Sequence, residues 1–491
     1  MIILLLFSLM VIAAIASFFL KKHAFVYALG VSAAVLIVIV FYSVLRFHSG
    51  YTGGYISTFT YGLASKIGIF FSIGVSSFSD ALLLLSAIVI FVAVAITRKK
   101  DYVPSIYSFM ILIEIGLFGI LISRDFLFFY IFWEVVLIPA YFIVAEFGGK
   151  NKDHVSLKFF VYTHIGSVFL LLAIFTVYSF YYIHTGIFTF QISSLMSVKY
   201  FAMIPTTLKY FAIFGFLFSF LVKLPSFPIH SWLPDTYETA PYPGTVILAG
   251  GLSIMGGYGL FGILLPVGSL LGNTVLYILI GLGIISLIYF ALSAMMQYSL
   301  KRMMAFASAA AMGFVTLSFG AGILETGIEQ PLELAGGMYQ ILAHGLIMTL
   351  IFAALYFINQ KAGSDNIYSL GGIFREMPVL SSSLLVGLLA SLGLPGFAGF
   401  IGEFSVLVGS FQAIGWVIIL VIFAMIITAS YHIWAAQRSL YGPYNEHLGA
   451  IKDVSAAQFS ILLFMMIAIF IFGIVPNLYY GSFLAYLGAL I

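Results

Sequence analysis

The sequence predicts an all-α polytopic membrane protein of about 14 transmembrane helices, with two inverted five-helix repeats and broken helices in spans 7 and 12. Three observations carry that reading. Charged residues are 8% of the 491 and hydrophobic ones 63%, whereas soluble domains carry about 25% charged residues. Mean hydropathy is +1.17. The apolar runs recur at roughly 17–25 residues, the length of helix that crosses a ~30 Å hydrocarbon core.

In chain order the spans fall near 2–20, 25–46, 79–97, 105–123, 126–147, 157–180, 207–227, 243–264, 273–295, 303–323, 334–358, 379–412, 415–437 and 457–481. No stretch outside them is long enough for a soluble domain. The first has no basic residue ahead of its apolar run, and its positive cluster, Lys21-Lys22, follows it. It therefore reads as a retained helix and not as a cleaved signal. The chain divides into N-terminal helices (1–104), a first repeat (105–264), a second repeat (273–437) and a C-terminal loop and helix (438–491).

Loop cations test the alternation, because Lys and Arg accumulate on the cytoplasmic side. Loops after odd-numbered spans hold 14 of the 20: Lys21, Lys22, Arg98, Lys99, Lys100, Lys150, Lys152, Lys158, Lys301, Arg302, Lys361, Arg375, Arg438 and Lys452. Loops after even-numbered spans hold 5, Arg46, Lys66, Arg124, Lys199 and Lys209, and Lys223 is left inside a span. Both termini are expected outside, in the plasma membrane of a prokaryote. The net charge of +3 reflects these loops and gives no reason to expect nucleic acid. Cysteine is absent, which rules out disulfides, iron–sulfur clusters and thiolate metal sites on this chain; no cofactor or metal is expected.

Few ionisable residues remain at membrane depth: Glu114, Glu134, Lys223 and Glu403, joined by His164, His344 and His432. A charge there costs about 2.5–3.5 kcal/mol on insertion scales, so such residues face the bundle interior and mark ion or proton paths. Each has a plain alternative as a structural hydrogen bond between helices. Two of them adjoin broken helices. "FLVKLPSFPIHSWLPD" (220–235) sets Pro225 and Pro228 just after Lys223, and "SLGLPGFAGFIGEF" (391–404) sets Pro395, followed by three glycines, before Glu403. Proline frees backbone carbonyls, tolerated at this depth only beside protein or water. Each break is the fourth span of a five-span block, spans 4–8 and 9–13, which is the pattern of an inverted repeat.

A buried lysine near a carboxylate can act as a switch. Desolvation and the partner's charge act on it in opposite senses, and at about 4 Å and an effective dielectric of 20 the pair attracts by roughly 4 kcal/mol. Separating Glu134 from Lys223 would release a proton on the scale of a membrane potential, where 150–200 mV is worth roughly 3.5–4.6 kcal/mol per charge. After the break, His230, Asp235 and Glu238 could feed protons inward, or simply cap and shape the loop. Lys301 and Arg302 read as loop cations, and Arg124-Asp125 as a surface pair.

Several stretches then resemble the antiporter-like subunits of respiratory complex I, most closely the M-type. They are "RDFLFFYIFWEVVLIPAYFIVAEFGG" (124–149), "KFFVYTHIGSVFLLLAI" (158–174), "VKLPSFPIHSWLPDTYETAPYPGTVILAGGLSIMGGYGL" (222–260), "SLKRMMAFASAAAMGFV" (299–315), "LAHGLIMTLIFAALY" (342–356), "LPGFAGFIGEF" (394–404) and "ASYHIWAAQRSLYG" (429–442). The resemblance implies a proton-translocating membrane subunit of a complex I-like NADH, or related donor, quinone oxidoreductase. Such a subunit has no redox centre; partner subunits pass the electrons to quinone, and the chain sits with other membrane subunits of the assembly in the lipid bilayer. It implies roles for Glu134 in "FWE", for Lys223 in span 7 and for Glu403 in span 12, where L- and N-type relatives have Lys. Glu114, His164, His230 and His344 complete the candidate set.

Two positions depart from the family pattern. Ile254 and Ala311 stand where the family typically has a lysine and often a histidine, so either His344, Ser253 and water bridge Lys223 to Glu403, or the lateral path is interrupted and the chain does something reduced. Rival readings are a subunit of a Mrp-type Na⁺/H⁺ antiporter, and one of a membrane-bound hydrogenase or F420H₂ dehydrogenase. Neighbouring genes, redox or small antiporter subunits, would separate these. A stand-alone solute carrier would need substrate-shaped polarity at the midplane, and a purely structural scaffold leaves the buried charges without a purpose.

Overall fold

The computed structural model describes residues 2–20, 23–48, 54–97, 102–324 and 331–490; the loop cations Lys21, Lys22, Arg98, Lys99 and Lys100 lie outside them. Among the described residues, twelve helices are long and apolar enough to cross a membrane, and two shorter apolar ones, Ile2–Ser17 and Pro378–Ser391, accompany them. Local chemistry fixes several starts. Ser76 and Ser79 form a capping box ahead of Ser77–Ile96, Asp125 caps Phe126–Phe147, and Ser455 with Gln458 caps Ala456–Ile474. Each satisfies amides that a helix start leaves without partners.

Tyr242–Leu270 and Leu332–Ala362 are buried along their whole apolar windows and form the centre of the bundle, while Ala24–His48 and Ala456–Ile474 are only one-third buried and lie at its edge. The centre is irregular. Tyr242–Leu270 passes through two π-helical turns, Leu248–Leu252 and Gly259–Leu264, on either side of the regular turns at Ser253–Tyr258. Turns of this kind concentrate at functional sites.

Both expected breaks are present. Thr206–Lys223 stops at the lysine, four residues earlier than the span edge expected at 227, and the chain resumes as Trp232–Thr239. Pro378–Ser391 and Ala398–Ile414 replace the single run expected at 379–412, and six residues connect them.

One departure from the all-α expectation is a β-hairpin. Strand β1 (Ile56–Ala64) pairs antiparallel with β2 (Ile69–Val75). It lies over the ends of three spans: the Arg124 amide donates to Ser72 O at 2.8 Å, the Phe190 amide to Gly68 O at 3.1 Å and the Phe126 amide to Phe190 O at 2.8 Å.

Loop contacts sort by parity. Loops after odd-numbered spans bond to one another: Gly149 to Thr239, Leu300 to Asp365, Asn445 to Gly371 and Phe374 to Leu440. Lys361 Nζ donates to Asp453 O at 2.8 Å, and the Asp453 carboxylate accepts from the Val379 and Leu380 amides at 2.7 and 3.1 Å. Among the described residues, the hairpin's backbone hydrogen bonds to other segments go to loops after even-numbered spans. We label the first face inner and the second outer, as names for loop parity alone.

Candidate functional site

Of the sequence-derived residues, Lys223 and His230 lie at the first break and Glu403 packs against the second. Lys223, the last residue of its helix, is 1% exposed, and its Nζ has no hydrogen-bond partner among the described residues. It lies 5.8 Å from the Phe159 ring centre and 6.0 Å from that of Trp133. These are the outer limit of cation–π attraction, which reaches about 2 kcal/mol when desolvated.

Glu134 is not its direct partner. No ion pair within 4 Å joins them; Glu134 Oε2 instead sits 3.5 Å from His164 Nδ1, although Glu134 remains within electrostatic reach of Lys223. The physical reason is helix rotation. Trp133 turns inward toward Lys223, while its neighbour Glu134 turns toward Lys152–Thr185, where His164 stacks on Phe160 at 5.3 Å. Glu134 Oε1 is buried without a partner, and the His164 side chain is 46% exposed on the flank of the chain. The direct Glu134–Lys223 contact anticipated above is thus corrected to a Glu134–His164 contact with Lys223 one shell inward.

Glu114 is fully buried, with both carboxylate oxygens unpartnered among the described residues. His344 Nε2 lies 3.1 Å from Ser308 Oγ. Ser253 Oγ donates to Ala249 O at 3.3 Å; among the described residues no hydrogen bond joins Ser253 to His344, and Ile254 is fully buried beside Ser253. His230 sits in an aromatic box, with ring centres of Phe290, Tyr289 and Phe227 at 4.6, 5.2 and 5.9 Å.

Glu403 is 6% exposed and packs against the second break. A Cβ built at Gly393, whose φ is +77°, would collide with Glu403 Oε2. Gln340 reaches the same carboxylate from the central Leu332–Ala362 helix.

Two of the three residues expected as an inward proton feed, Asp235 and Glu238, are held in an inner-face ion network. Asp235 accepts from Lys158 at 2.8 Å and from Arg302 at 3.0 Å, and Arg302 also pairs with Glu238 at 2.5 Å. Partial burial opposes the Asp235 charge, but Lys158 and then Arg302 outweigh it and hold the carboxyl below its ordinary value. Lys301, read from sequence as a loop cation, is buried; its Nζ donates to the carbonyls of Glu238 and Ala240 at 3.0 and 2.5 Å, over the Tyr242 ring. The network ties the segment after the first break to the Leu300–Leu324 helix.

On the outer face, Arg124 and Asp125 do not form the expected surface pair. Arg124 lies 4.0 Å over the Tyr55 ring. Asp125 is buried, which pushes its carboxyl up to about 6 against the backbone amides it accepts, those of Leu127 and Phe70 among them. Nearby, a buried Arg46–Asp80 pair at 3.7 Å receives Ser43 Oγ at 3.1 Å and Tyr479 Oη at 3.3 Å. Arg46 had been counted as a loop cation; only its match to Asp80 across two spans could have shown otherwise. Among the described residues no cluster of three His, Cys, Asp or Glu could hold a metal ion.

Residues 123–428 match the family described as NADH:quinone oxidoreductase/Mrp antiporter, transmembrane. F(420)H(2) dehydrogenase subunit M of Methanosarcina mazei is 39% identical over 415 residues, covering 84% of this chain and 82% of that one. NADH-quinone oxidoreductase subunit M of Rickettsia conorii is 31% identical over 420 residues, covering 85% and 82%. A chain of respiratory complex I from Thermus thermophilus shares the fold, with a TM-score of 0.82 at 23% identity over 98% of this chain and all of that one.

Proposed function

We propose, for a chain that belongs to the NADH:quinone oxidoreductase/Mrp antiporter family of transmembrane proteins, that it is the M-type, proton-translocating membrane subunit of a complex I-like oxidoreductase. Partner subunits carry electrons from NADH or a related donor to quinone, and this chain moves H⁺ through buried Glu, Lys and His side chains and water. One observation carries the reading: Lys223 and Glu403 are ionisable groups buried at the two helix breaks, Glu134 is within electrostatic reach of Lys223, and among the described residues Lys223 has no hydrogen-bond partner to hold its charge in place.

The roles follow from the geometry. Glu134 has two basic neighbours on different sides, His164 in contact and Lys223 within reach. Moving its charge toward either side changes the stability of a proton on Lys223, because each acts on the other through a medium far less polarisable than water. Glu114 and His344 are the remaining buried groups through which charge can be relayed at the centre, and His230 lies in the break itself. Glu403 serves the second repeat.

The division at 105–264 and 273–437, the inverted relation of the two blocks and a count of 14 spans belong to the same proposal, supported by the matching positions of the breaks. So do a prokaryotic plasma membrane and termini on the outer side, supported by the excess of cations on the inner loops.

The test is Lys223→Ala in vesicles carrying the whole complex, with proton uptake read against quinone reduction. Uptake should be lost while assembly and electron input persist; normal uptake refutes the assignment. Measuring Na⁺ and H⁺ flux separately, with NADH and F420H₂ as alternative donors, decides among the family's relatives.

A further inference from the structure

We propose that Glu403 has its own proton entry from the inner face, through a cavity between the first half of the broken span and the Ile419–Ser439 helix, with His432 as its relay. The inference rests on the pumping reading above and adds a route to it.

A cavity of about 420 Å³ lies between Leu385–Leu392 on one side and His432–Tyr441 on the other. Its inner end shares Gln437 and Tyr441 with a second, more polar cavity of about 680 Å³, which Arg438, Tyr444 and Asn445 also line. Gln437 and Arg438 are exposed, so the pair of cavities opens at the face that carries the odd-numbered loops. Its deep end is Leu392. The next residue is Gly393, against which the Glu403 carboxylate packs. The route therefore leads from a polar rim to within one residue of the second repeat's acid.

His432 stands along it with the right chemistry. Its side chain is buried, at 1% exposure. Nδ1 is 2.8 Å from Thr428 O, and a carbonyl can only accept, so Nδ1 carries the hydrogen. Nε2 is then the basic nitrogen, and it is buried with no hydrogen-bond partner among the described residues. The ring stacks on Tyr431 at 4.5 Å, and Tyr431 is itself buried within electrostatic reach of Glu403. Consecutive residues of one helix thus address the cavity and the acid.

The step balances simply. A proton from inner-face water binds Nε2 and makes an imidazolium; the same N–H bond then breaks, the proton passes by water or the Tyr431 hydroxyl to the Glu403 carboxylate, and neutral imidazole returns. No other reactant is needed. The route also accounts for Ile254, since a second repeat filled from its own side does not depend on a titratable group at that position.

The chain has no cysteine, so Ala436→Cys and Leu388→Cys each create its sole thiol. In inverted vesicles of the whole complex, both should react with a charged, membrane-impermeant methanethiosulfonate added on the inner side. Reaction only with a lipid-soluble maleimide would mean that the groove holds acyl chains, and overturns the proposal. His432→Ala should lose the same share of protons per electron pair as Glu403→Gln, with added imidazole restoring at least half of it. Wild-type stoichiometry in His432→Ala overturns the entry route. If Lys223→Ala is inactive in the same preparation, only this route fails; if that variant also pumps normally, the underlying reading fails with it.

Discussion

Replacing Gly393 by alanine perturbs one contact of the second break, and its neighbour supplies the control. Gly393 and Gly396 both have left-handed backbones, at φ +77° and +96°. A side chain in that region costs an L-residue roughly 1–2 kcal/mol, so both Gly393→Ala and Gly396→Ala should lower thermal stability by similar amounts. Their surroundings differ. Nothing lies within 4 Å of a Cβ at Gly396, whereas a Cβ at Gly393 would overlap Glu403 Oε2.

Relief of that overlap requires the carboxylate to move by about 1 Å, a displacement that can reduce a positioned reaction by up to ~100-fold. Gly393→Ala should therefore depress the proton uptake that depends on Glu403 at least tenfold, whereas Gly396→Ala pumps normally per electron at a reduced melting temperature. Purified complex in detergent gives the melting curves, and the same complex in proteoliposomes, with a pH-sensitive dye inside, gives uptake against turnover. Equal pumping by the two variants would refute the idea that Glu403 works from its present position against the break.

Three further outcomes are expected. Arg46→Ala leaves Asp80 buried without its cation and should destabilise the chain by about 3–5 kcal/mol, with Asp80→Asn recovering most of the loss in the double variant; thermal melting of the four proteins completes the cycle. Arg302→Ala removes one of the two cations holding Asp235, at a cost of about 0.5–1 kcal/mol for a part-exposed pair. Because the folded pKa of Asp235 is depressed, that contribution is present above the unfolded value near 3.9 and is lost as pH falls through the folded one. The gap between wild type and Arg302→Ala should accordingly hold from neutral pH to about 5 and close below about 4; a pH-independent gap means Arg302 acts by packing. His344→Gln can keep the hydrogen bond to Ser308 but not a proton, and should assemble normally while lowering proton uptake, which vesicle assays with matched turnover would check.

The spans and both breaks were legible because hydrophobic length and proline act locally. Parity of the loops was legible too, and the inner and outer hydrogen-bonded sets respect it. Rotation of a helix about its axis was not. "FWE" places Trp133 and Glu134 side by side, and nothing in a uniformly apolar helix says which of them turns toward Lys223; packing decided for the tryptophan. The hairpin at 56–75 was missed because a short loop with few charges carries little signal beside membrane helices. Lys301 and Arg46 were counted as loop cations because sequence shows distance from a span edge but not the carbonyls or carboxylate waiting across it. His432 stood among the buried histidines, but only the cavity beside it distinguished it from a residue bonded between helices.

The wide turns on either side of Ser253–Tyr258 have a consequence for comparing this chain with its relatives. A helical wheel drawn at a uniform 100° per residue accumulates an angular error through each π turn, so a letter-by-letter ruler laid along Tyr242–Leu270 misreports which side chains share a bearing. The side chains of Ser253–Tyr258 therefore meet their neighbours at bearings set by the two wide turns, and not at those a uniform wheel assigns.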